Sequence, residues 1–417
     1  MNDFFVLEKN DDYFMIYKPY GTIKKLSKDD YVKFLSATQN ESDQIALEGF
    51  CKTVFAKKTK LSYEEGLCDK KKLSKLELVL TNKCNLDCKY CYAEGGSYSM
   101  EEKSVTSRDL ERYLTKLIPS YYNEIGVVMF FGGEPLINFQ AIKTAVGFFE
   151  NLYMQNLLQK LPHYTMVTNG TLINEEVAKF IAEHQIQVTV SIDGNKTIHD
   201  MLRPYKNGKG SYEKVVEGIR LLQIHGAQLA LLEATYTKKH IENGISRNQV
   251  IEFLKGKFNS TEIYLVDCQG DSRYAIDSHQ NTVKKVVDKS AKLAVLRGVK
   301  RIGSNDYYCD AGLQSFAIDP NGLMVPCHFF IGKQEYCIGN LKEKKLFSTE
   351  YENIKNRLQS IRRRKNQHCK DCWSKEMCSA CPAIFLLELE KAYQNCANRR
   401  ERNELVLQSL LDGKELR

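Results

Sequence analysis

Thr81-Asn82-Lys83-Cys84-Asn85-Leu86-Asp87-Cys88-Lys89-Tyr90-Cys91 puts three cysteines in C-x-x-x-C-x-x-C spacing on one short stretch. Thiolates spaced this way can wrap one loop around a single metal centre, and three are one too few to close a structural zinc site, which takes four ligands. Cysteine thiolates also hold iron–sulfur clusters, and a cubane bound by three of them keeps one iron open to a substrate or cofactor. Chance spacing is the competing explanation at this point.

The stretch follows an apolar run at 76–80, the first of six strand-like runs; the others lie at 126–131, 164–168, 187–192, 229–235 and 262–266. Helical patterns separate them near 106–118, 138–160, 174–184, 211–225 and 246–257, and Thr106-Ser107-Arg108-Asp109 offers a capping-box start. Strands alternating with helices predict an α/β fold with a parallel sheet, here a partial (β/α)6 TIM-like barrel. Function in such barrels gathers where the strands end, because the βα loops converge there.

The first strand ends in the cysteine loop, the second in Gly132-Gly133-Glu134-Pro135, the third in Thr168-Asn169-Gly170 and the fourth in Ser191-Ile192-Asp193-Gly194. Two glycines let a ligand approach the backbone, and a carboxylate beside them can receive an ammonium group. Arg203, after the fourth strand, can pair with a carboxylate on the same rim. Glu233 interrupts an apolar Leu-Leu-Glu-Ala-Thr run, where a charge is costly unless used, so a lumen-facing role is expected. Asp267 and Cys268 end the sixth strand and are candidates to face the reaction chamber, against the commoner outcome of an inert buried cysteine.

Ahead of the barrel, residues 4–9, 13–17 and 22–26 read as short strands with turn residues between them, followed by a helix with Ser27 as N-cap and further helix over 42–56. Cys51 and Cys68 have no partner spacing. After the barrel, Asp319-Pro320-Asn321-Gly322 is a turn between two apolar arms, a hairpin that places Cys309 and Cys327 on its two sides. Cys337, Cys369-x-x-Cys372, Cys378-x-x-Cys381 and Cys396 follow. Alone, the paired motifs fit structural zinc; beside an open three-cysteine loop, iron–sulfur clusters account for all of them together.

Four hundred and seventeen residues point to two or three domains. No apolar run is long enough to span a bilayer, and Met1-Asn2-Asp3-Phe4-Phe5 lacks the features of an export signal, so a cytoplasmic protein without a membrane is expected. Fourteen cysteines in that reducing compartment argue for metal or catalytic use rather than disulfides. The net charge of +8 is spread along the chain, and runs such as Arg362-Arg363-Arg364-Lys365 read as solvated surface, with no nucleic acid expected.

Cys84, Cys88 and Cys91, with Tyr90 before the last and Gly-Gly-Glu-Pro at the next strand end, resemble the radical S-adenosylmethionine enzymes. Cys309, Gly322-x-x-x-x-Cys327, the 369–381 cysteines and Cys396 resemble their SPASM extension, and Phe-Phe-Gly-Gly-Glu-Pro-Leu and Glu-Ala-Thr-Tyr-Thr are similar to thioether-forming maturases of the ranthipeptide group. The resemblance implies three domains: a winged-helix-like leader-peptide recognition element over 1–72, the barrel over 73–300 and SPASM over 301–417. It implies S-adenosylmethionine and three 4Fe-4S clusters. Cys84, Cys88 and Cys91 would hold the catalytic one. Tyr90 would lie by the adenine, Gly132, Gly133, Glu134 and Pro135 at the amino group, and Ser191 and Arg203 at the carboxylate, with Asn169 and Glu233 also on the cofactor side. Cys369, Cys372, Cys378 and Cys396 would hold a distal auxiliary cluster, and Cys309, Cys327 and Cys381 a proximal one. The family's additional proximal cysteine is missing between Asp310 and Gly322, so that cluster either keeps an open iron or is closed by Cys337.

An open ferrous site would bind and orient a substrate thiolate. The implied activity is thioether crosslinking of a ribosomally made precursor, its leader on the amino-terminal element, its core in the barrel, and a flavodoxin or ferredoxin as reductant. Formylglycine formation of the anaerobic sulfatase-maturase type and carbon–carbon crosslinking are the enzymatic alternatives. A zinc-rich peptide-binding adaptor is the non-enzymatic one.

Overall fold

The computed structural model describes residues 4–9, 12–17, 22–39, 71–259, 262–268, 270–276, 308–343, 345–346, 349–362, 366–370, 372, 374–375, 378, 380–387, 396–397, 399–401 and 403–404. The helix expected over 42–56, Cys51, Cys68, the turn residues at 10–11 and 18–21 and the basic run at 363–365 lie outside them. Two compact units emerge, one of residues 68–282 with 310–358, the other of 1–67, 283–309 and 359–417.

In the second of these units, strands β1 (Phe4–Lys9), β2 (Asp12–Tyr17) and β3 (Thr22–Leu26) form an antiparallel sheet in the order β1-β2-β3. Helix α1 (Lys28–Gln39) follows, and the Ser27 hydroxyl accepts the Asp30 N–H at 3.1 Å, the N-cap expected from sequence. Tyr13, Met15, Leu26 and Phe34 are buried, and the Tyr13 and Tyr31 rings stack at 3.9 Å.

The larger unit is built on β4 (Lys72–Thr81), β5 (Glu124–Gly132), β6 (His163–Thr168), β7 (Gln187–Ser191), β8 (Leu229–Tyr236) and β9 (Ile263–Asp267), each parallel to the next. These are the six strands expected from sequence. The connecting helices are α2 (Ser107–Leu117), α3 (Phe139–Met154), α4 (Glu175–Glu183), α5 (Lys196–Leu202), α6 (Tyr212–Ile224), α7 (Lys238–Glu242) and α8 (Arg247–Phe258). Side-chain oxygens of Thr106, Asn174, Asn195 and Ser246 accept N–H groups that the first turns of α2, α4, α5 and α8 leave unpaired. The seven-residue α5 and five-residue α7 fall inside stretches read as loops, being too short to show a helical period.

Each barrel strand has two faces, as the two-residue repeat requires. Val128, Phe130, Tyr164, Met166, Val188, Val190, Leu232 and Ala234 are buried, and Phe149 of α3 meets Tyr164 at 6.4 Å, which marks this as the helix-covered face. Met129, Phe131, Thr165, Thr189, Ser191, Leu231 and Glu233 alternate with them and are half-buried on the concave face.

Strands β10 (Ser315–Ile318) and β11 (Leu323–Val325) are the expected hairpin, with Asp319 accepting the N–H groups of Asn321 and Leu323 at 2.9 and 2.8 Å. What sequence did not show is its destination. Strand β10 pairs parallel with β4, Phe316 opposite Leu76, and the sheet continues through β11 to β12 (Gly339–Asn340) and β13 (Lys345–Leu346), ten strands among the described residues.

Phe130 is fully enclosed between strands and helices. Truncating it in Phe130→Ala should cost about 3–5 kcal/mol of stability, read from urea unfolding; a loss below about 1 kcal/mol would show that the barrel core does not rest on this layer.

Candidate active site

The cysteine loop leaves β4 and is pinned to the ends of two other strands. Asp87 N–H reaches Pro204 O at 2.8 Å and Lys89 N–H reaches Leu202 O at 2.9 Å, while the Asn85 amide bonds Thr171 at 2.8 Å and accepts from the Asn169 amide at 2.9 Å. Glycines at the end of β5 make room for this. A Cβ on Gly133 would stand 2.3 Å from Lys83 O and one on Gly132 would stand 2.2 Å from Thr81 O, so any side chain would push the loop away.

The three thiols come close enough to act electrostatically on one another. Burial pushes Cys84 up to about 11 and Cys88 up to about 12, so by themselves they would stay protonated at neutral pH. Two donors point at the sulfurs, Asn169 Nδ2 at 3.8 Å from Cys84 and Arg203 Nη1 at 3.9 Å from Cys88. Sulfurs that are half-buried, grouped and approached by N–H donors suit a cationic iron cluster core, which supplies the charge needed to ionise them. Among the described residues no three His, Cys, Asp or Glu side chains converge on a single-ion position.

Asp193 organises the rim. It is fully buried, and its Oδ2 accepts from Arg203 Nε at 3.0 Å and from the Tyr90 hydroxyl; Oδ1 accepts the Thr235 N–H at 3.0 Å. Burial alone would raise its carboxyl, but the Arg203 guanidinium overrides that and holds it below the usual range. Arg203 also lies over the Tyr90 ring at 5.4 Å. Tyr90 and Arg203 are therefore brought together through Asp193, a carboxylate that sequence reading quoted in a motif but gave no role. Ser191 lies in register with Glu233 on the neighbouring strand.

Glu134 is enclosed and already engaged. Its carboxylate accepts from Leu136 N–H at 3.1 Å, Thr168 Oγ1 at 2.7 Å and Asn169 N–H at 2.7 Å, so it braces the ends of β5 and β6, with Pro135 buried beside it. Burial outweighs those bonds and pushes it up to about 7. Of Asp267 and Cys268, expected at the reaction chamber, the first is paired and the second enclosed. Asp267 takes two bonds from Arg247 at 2.7 and 3.1 Å, and Cys268 is buried, its thiol pushed up to about 11 by that burial.

A second charged group lies on the same sheet. Glu77 of β4, fully buried, takes Lys75 on one carboxylate oxygen and His328 on the other, through the main-chain N–H at 2.9 Å and Nδ1 at 3.0 Å. Burial opposes the charge, yet His328 and Lys75 hold the carboxyl down to about 2. Sequence reading missed Glu77, although a lone acid within Leu76–Leu80 carries the same signal that singled out Glu233. Cys327 precedes His328 and is buried. Cys337 turns its thiol to Gly339 O at 3.2 Å and lines a cavity of about 540 Å³ with Ser99, Lys103 and Asp319.

In the other unit, Cys369 is buried and accepts the Tyr308 hydroxyl at 3.1 Å. Cys372, Cys378 and Cys396 are the thiols that act on it. Cys309 and Cys381 are half-buried in the same unit.

The radical SAM superfamily model matches residues 78–232, and the SPASM model, an iron–sulfur cluster-binding domain, matches 309–373. The chain is a radical S-adenosylmethionine enzyme with a SPASM domain. An uncharacterized Methanocaldococcus jannaschii protein, MJ0907, is 38% identical over 164 residues, 39% of this chain and 53% of that protein, so the match spans about half its length. The cysteine-type anaerobic sulfatase-maturating enzyme of Clostridium novyi is 27% identical over 72% of this chain and 85% of its own. The radical SAM cyclopropyl synthase TigE of Paramaledivibacter caminithermalis is 23% identical over 91% of this chain and 84% of its own. Among solved structures, native anSMEcpe with bound AdoMet and Cp18Cys peptide shares the fold with a TM-score of 0.61 at 19% identity, covering 82% of this chain and 98% of that one. No helix among the described residues is long and apolar enough to cross a membrane.

In this enzyme, Asp193→Asn should leave Arg203 buried without its counter-charge and cost about 3–5 kcal/mol in urea unfolding; an unchanged midpoint would show the pair to be dispensable. Because the Glu134 carboxyl titrates higher folded than unfolded, its contribution is fully present below about 4.5 and lost as pH rises through about 7. Thermal unfolding scans should show that decline, and Glu134→Gln should remove it; an identical slope in the variant would assign the decline elsewhere.

Proposed function

We propose that this enzyme is a peptide maturase that joins a cysteine sulfur to a carbon of the same ribosomally made precursor. The observation that carries the thioether reading is Cys337. Its thiol donates to Gly339 O at 3.2 Å, which favours leaving it off the cluster that the family resemblance assigns to Cys327. That cluster would then have three cysteines and an open iron suited to a substrate thiolate.

Cys84, Cys88 and Cys91 would hold the catalytic 4Fe-4S cluster, which with S-adenosylmethionine bound supplies the deoxyadenosyl radical. Tyr90, Arg203 and Ser191 line the rim where the cofactor would lie, with Asp193 fixing the first two. Gly132 and Gly133 bring the backbone close for its amino group, with Pro135, Asn169 and Glu134 setting the shape behind them. Cys369, Cys372, Cys378 and Cys396 would hold a distal cluster, and the sheet β1–β3 with α1 would take the leader, raising the core peptide's effective concentration. Asp267, bonded to Arg247, and Cys268, which is buried, are given no part in the chemistry.

Formylglycine formation is the second reading, favoured by the likeness to the C. novyi enzyme. Coexpression with small cysteine-rich open reading frames encoded nearby separates the two by mass spectrometry. A thioether removes two hydrogens per crosslink and leaves no alkylatable thiol, whereas formylglycine leaves a reactive aldehyde. A product with its thiol free would exclude the thioether.

Anaerobic reconstitution should give about twelve irons per chain, and replacing Cys84, Cys88 and Cys91 with alanine should remove about four and abolish deoxyadenosine formation. A colourless protein holding zinc would remove the cluster assignments.

A further inference from the structure

Two wholly buried histidines stand behind the rim. His199 lies on α5 and His240 on α7, and both rings meet the main chain of Asp193. The Asp193 N–H donates to His199 Nδ1 at 3.3 Å, and His240 Nε2 lies 2.8 Å from the Asp193 carbonyl oxygen.

A main-chain N–H can only donate and a carbonyl can only accept, so these partners fix where each ring carries its proton. At His199 the Asp193 N–H takes Nδ1, which leaves the proton on Nε2, 3.0 Å from Ser211 Oγ. At His240 the Thr237 N–H takes Nδ1 at 3.1 Å, so Nε2 carries the proton and donates to Asp193 O. Both rings are neutral. Burial agrees, pushing His199 down to about 4 and His240 below its ordinary value.

The contacts close a circuit. Ser211 Oγ donates to the Arg203 carbonyl oxygen at 2.5 Å, and Arg203 Nε returns to Asp193 Oδ2 at 3.0 Å. His199 thus ties together the main chains of the two residues whose side chains pair. His240 holds Asp193 from the other flank, on the helix that follows β8. A carboxylate fixed at its own N–H and C=O is aimed before any ligand arrives.

We propose that His199 and His240 are positioning residues for S-adenosylmethionine binding, each acting through its bond to the Asp193 main chain and so aiming the carboxylate that sets Arg203 and Tyr90. The proposal rests on the reading of that rim as the cofactor site.

Amide side chains separate the two nitrogens of a histidine, since asparagine presents its polar end near the place of Nδ1 and glutamine near that of Nε2. His199→Asn and His240→Gln therefore keep the bond to Asp193, whereas His199→Gln and His240→Asn keep only the bond on the far side, to Ser211 or Thr237. In anaerobically reconstituted enzyme, equilibrium dialysis should give the first two S-adenosylmethionine affinities within about threefold of wild type, and the second two should bind about tenfold more weakly. Side chains needed only to fill space would rank the two amides alike at both positions. Any ranking other than asparagine above glutamine at 199 and glutamine above asparagine at 240 would overturn the proposal. So would loss of iron from both replacements at either position, which would make that histidine a folding residue. An Asp193→Asn/Arg203→Gln double variant, which removes both buried charges together, should lose at least about tenfold in affinity. Unchanged affinity there would overturn the rim reading and the inference with it, whereas a loss there without the crossed ranking would overturn the inference alone.

Discussion

The buried contact between Arg203 and Asp193 is the constraint on which the site depends. Asp193 ends one strand, takes the main-chain N–H of Thr235 on the next, and holds both Arg203 and the Tyr90 hydroxyl. Tyr90 belongs to the cysteine loop and Arg203 donates towards Cys88, so one carboxylate ties the loop to two strands. A buried ion pair of this kind adds little net stability over apolar packing, because desolvation offsets the attraction. Its value is positional: with either partner removed, the other is left charged in a dry site, and the loop loses the geometry that presents three sulfurs together.

A second constraint acts from the opposite side of the loop. Gly132 and Gly133 have no room for a side chain, and Glu134 turns inward to bond Thr168 and Asn169. Asn169 then passes its amide to Asn85 and Cys84. The short motifs at successive strand ends thus form one hydrogen-bonded collar. Each motif alone could be a turn; together they satisfy one another's donors, which a set of unrelated turns has no reason to do.

The barrel was legible because its signals are local. Apolar runs of strand length, helical periods between them and the capping pattern at Thr106 are read within a few residues, and all six strands stand where those patterns put them. Short helices such as Lys196–Leu202 escaped because one or two turns carry no period. The site was legible in its ligand types but not in its wiring. Glu134 reads as an ammonium receiver until the donors it already holds are counted, and Asp267 reads as chamber-facing until Arg247 is found beside it. Glu77 sat in plain view as an acid inside an apolar strand, yet its partner His328 lies 251 residues away.

Sequence alone determined the order of strands and helices, the cysteine spacings and the family they belong to, because residue type and spacing are properties of the chain. Tertiary structure decided which carboxylates are spent on the chain. It seated β10 against β4, turned Cys337 to Gly339 and gave Arg203 to Asp193. Pairing of this sort depends on distances between residues far apart in sequence, and burial sets its strength, since a charge removed from water must find a partner in the folded chain or bind one from outside.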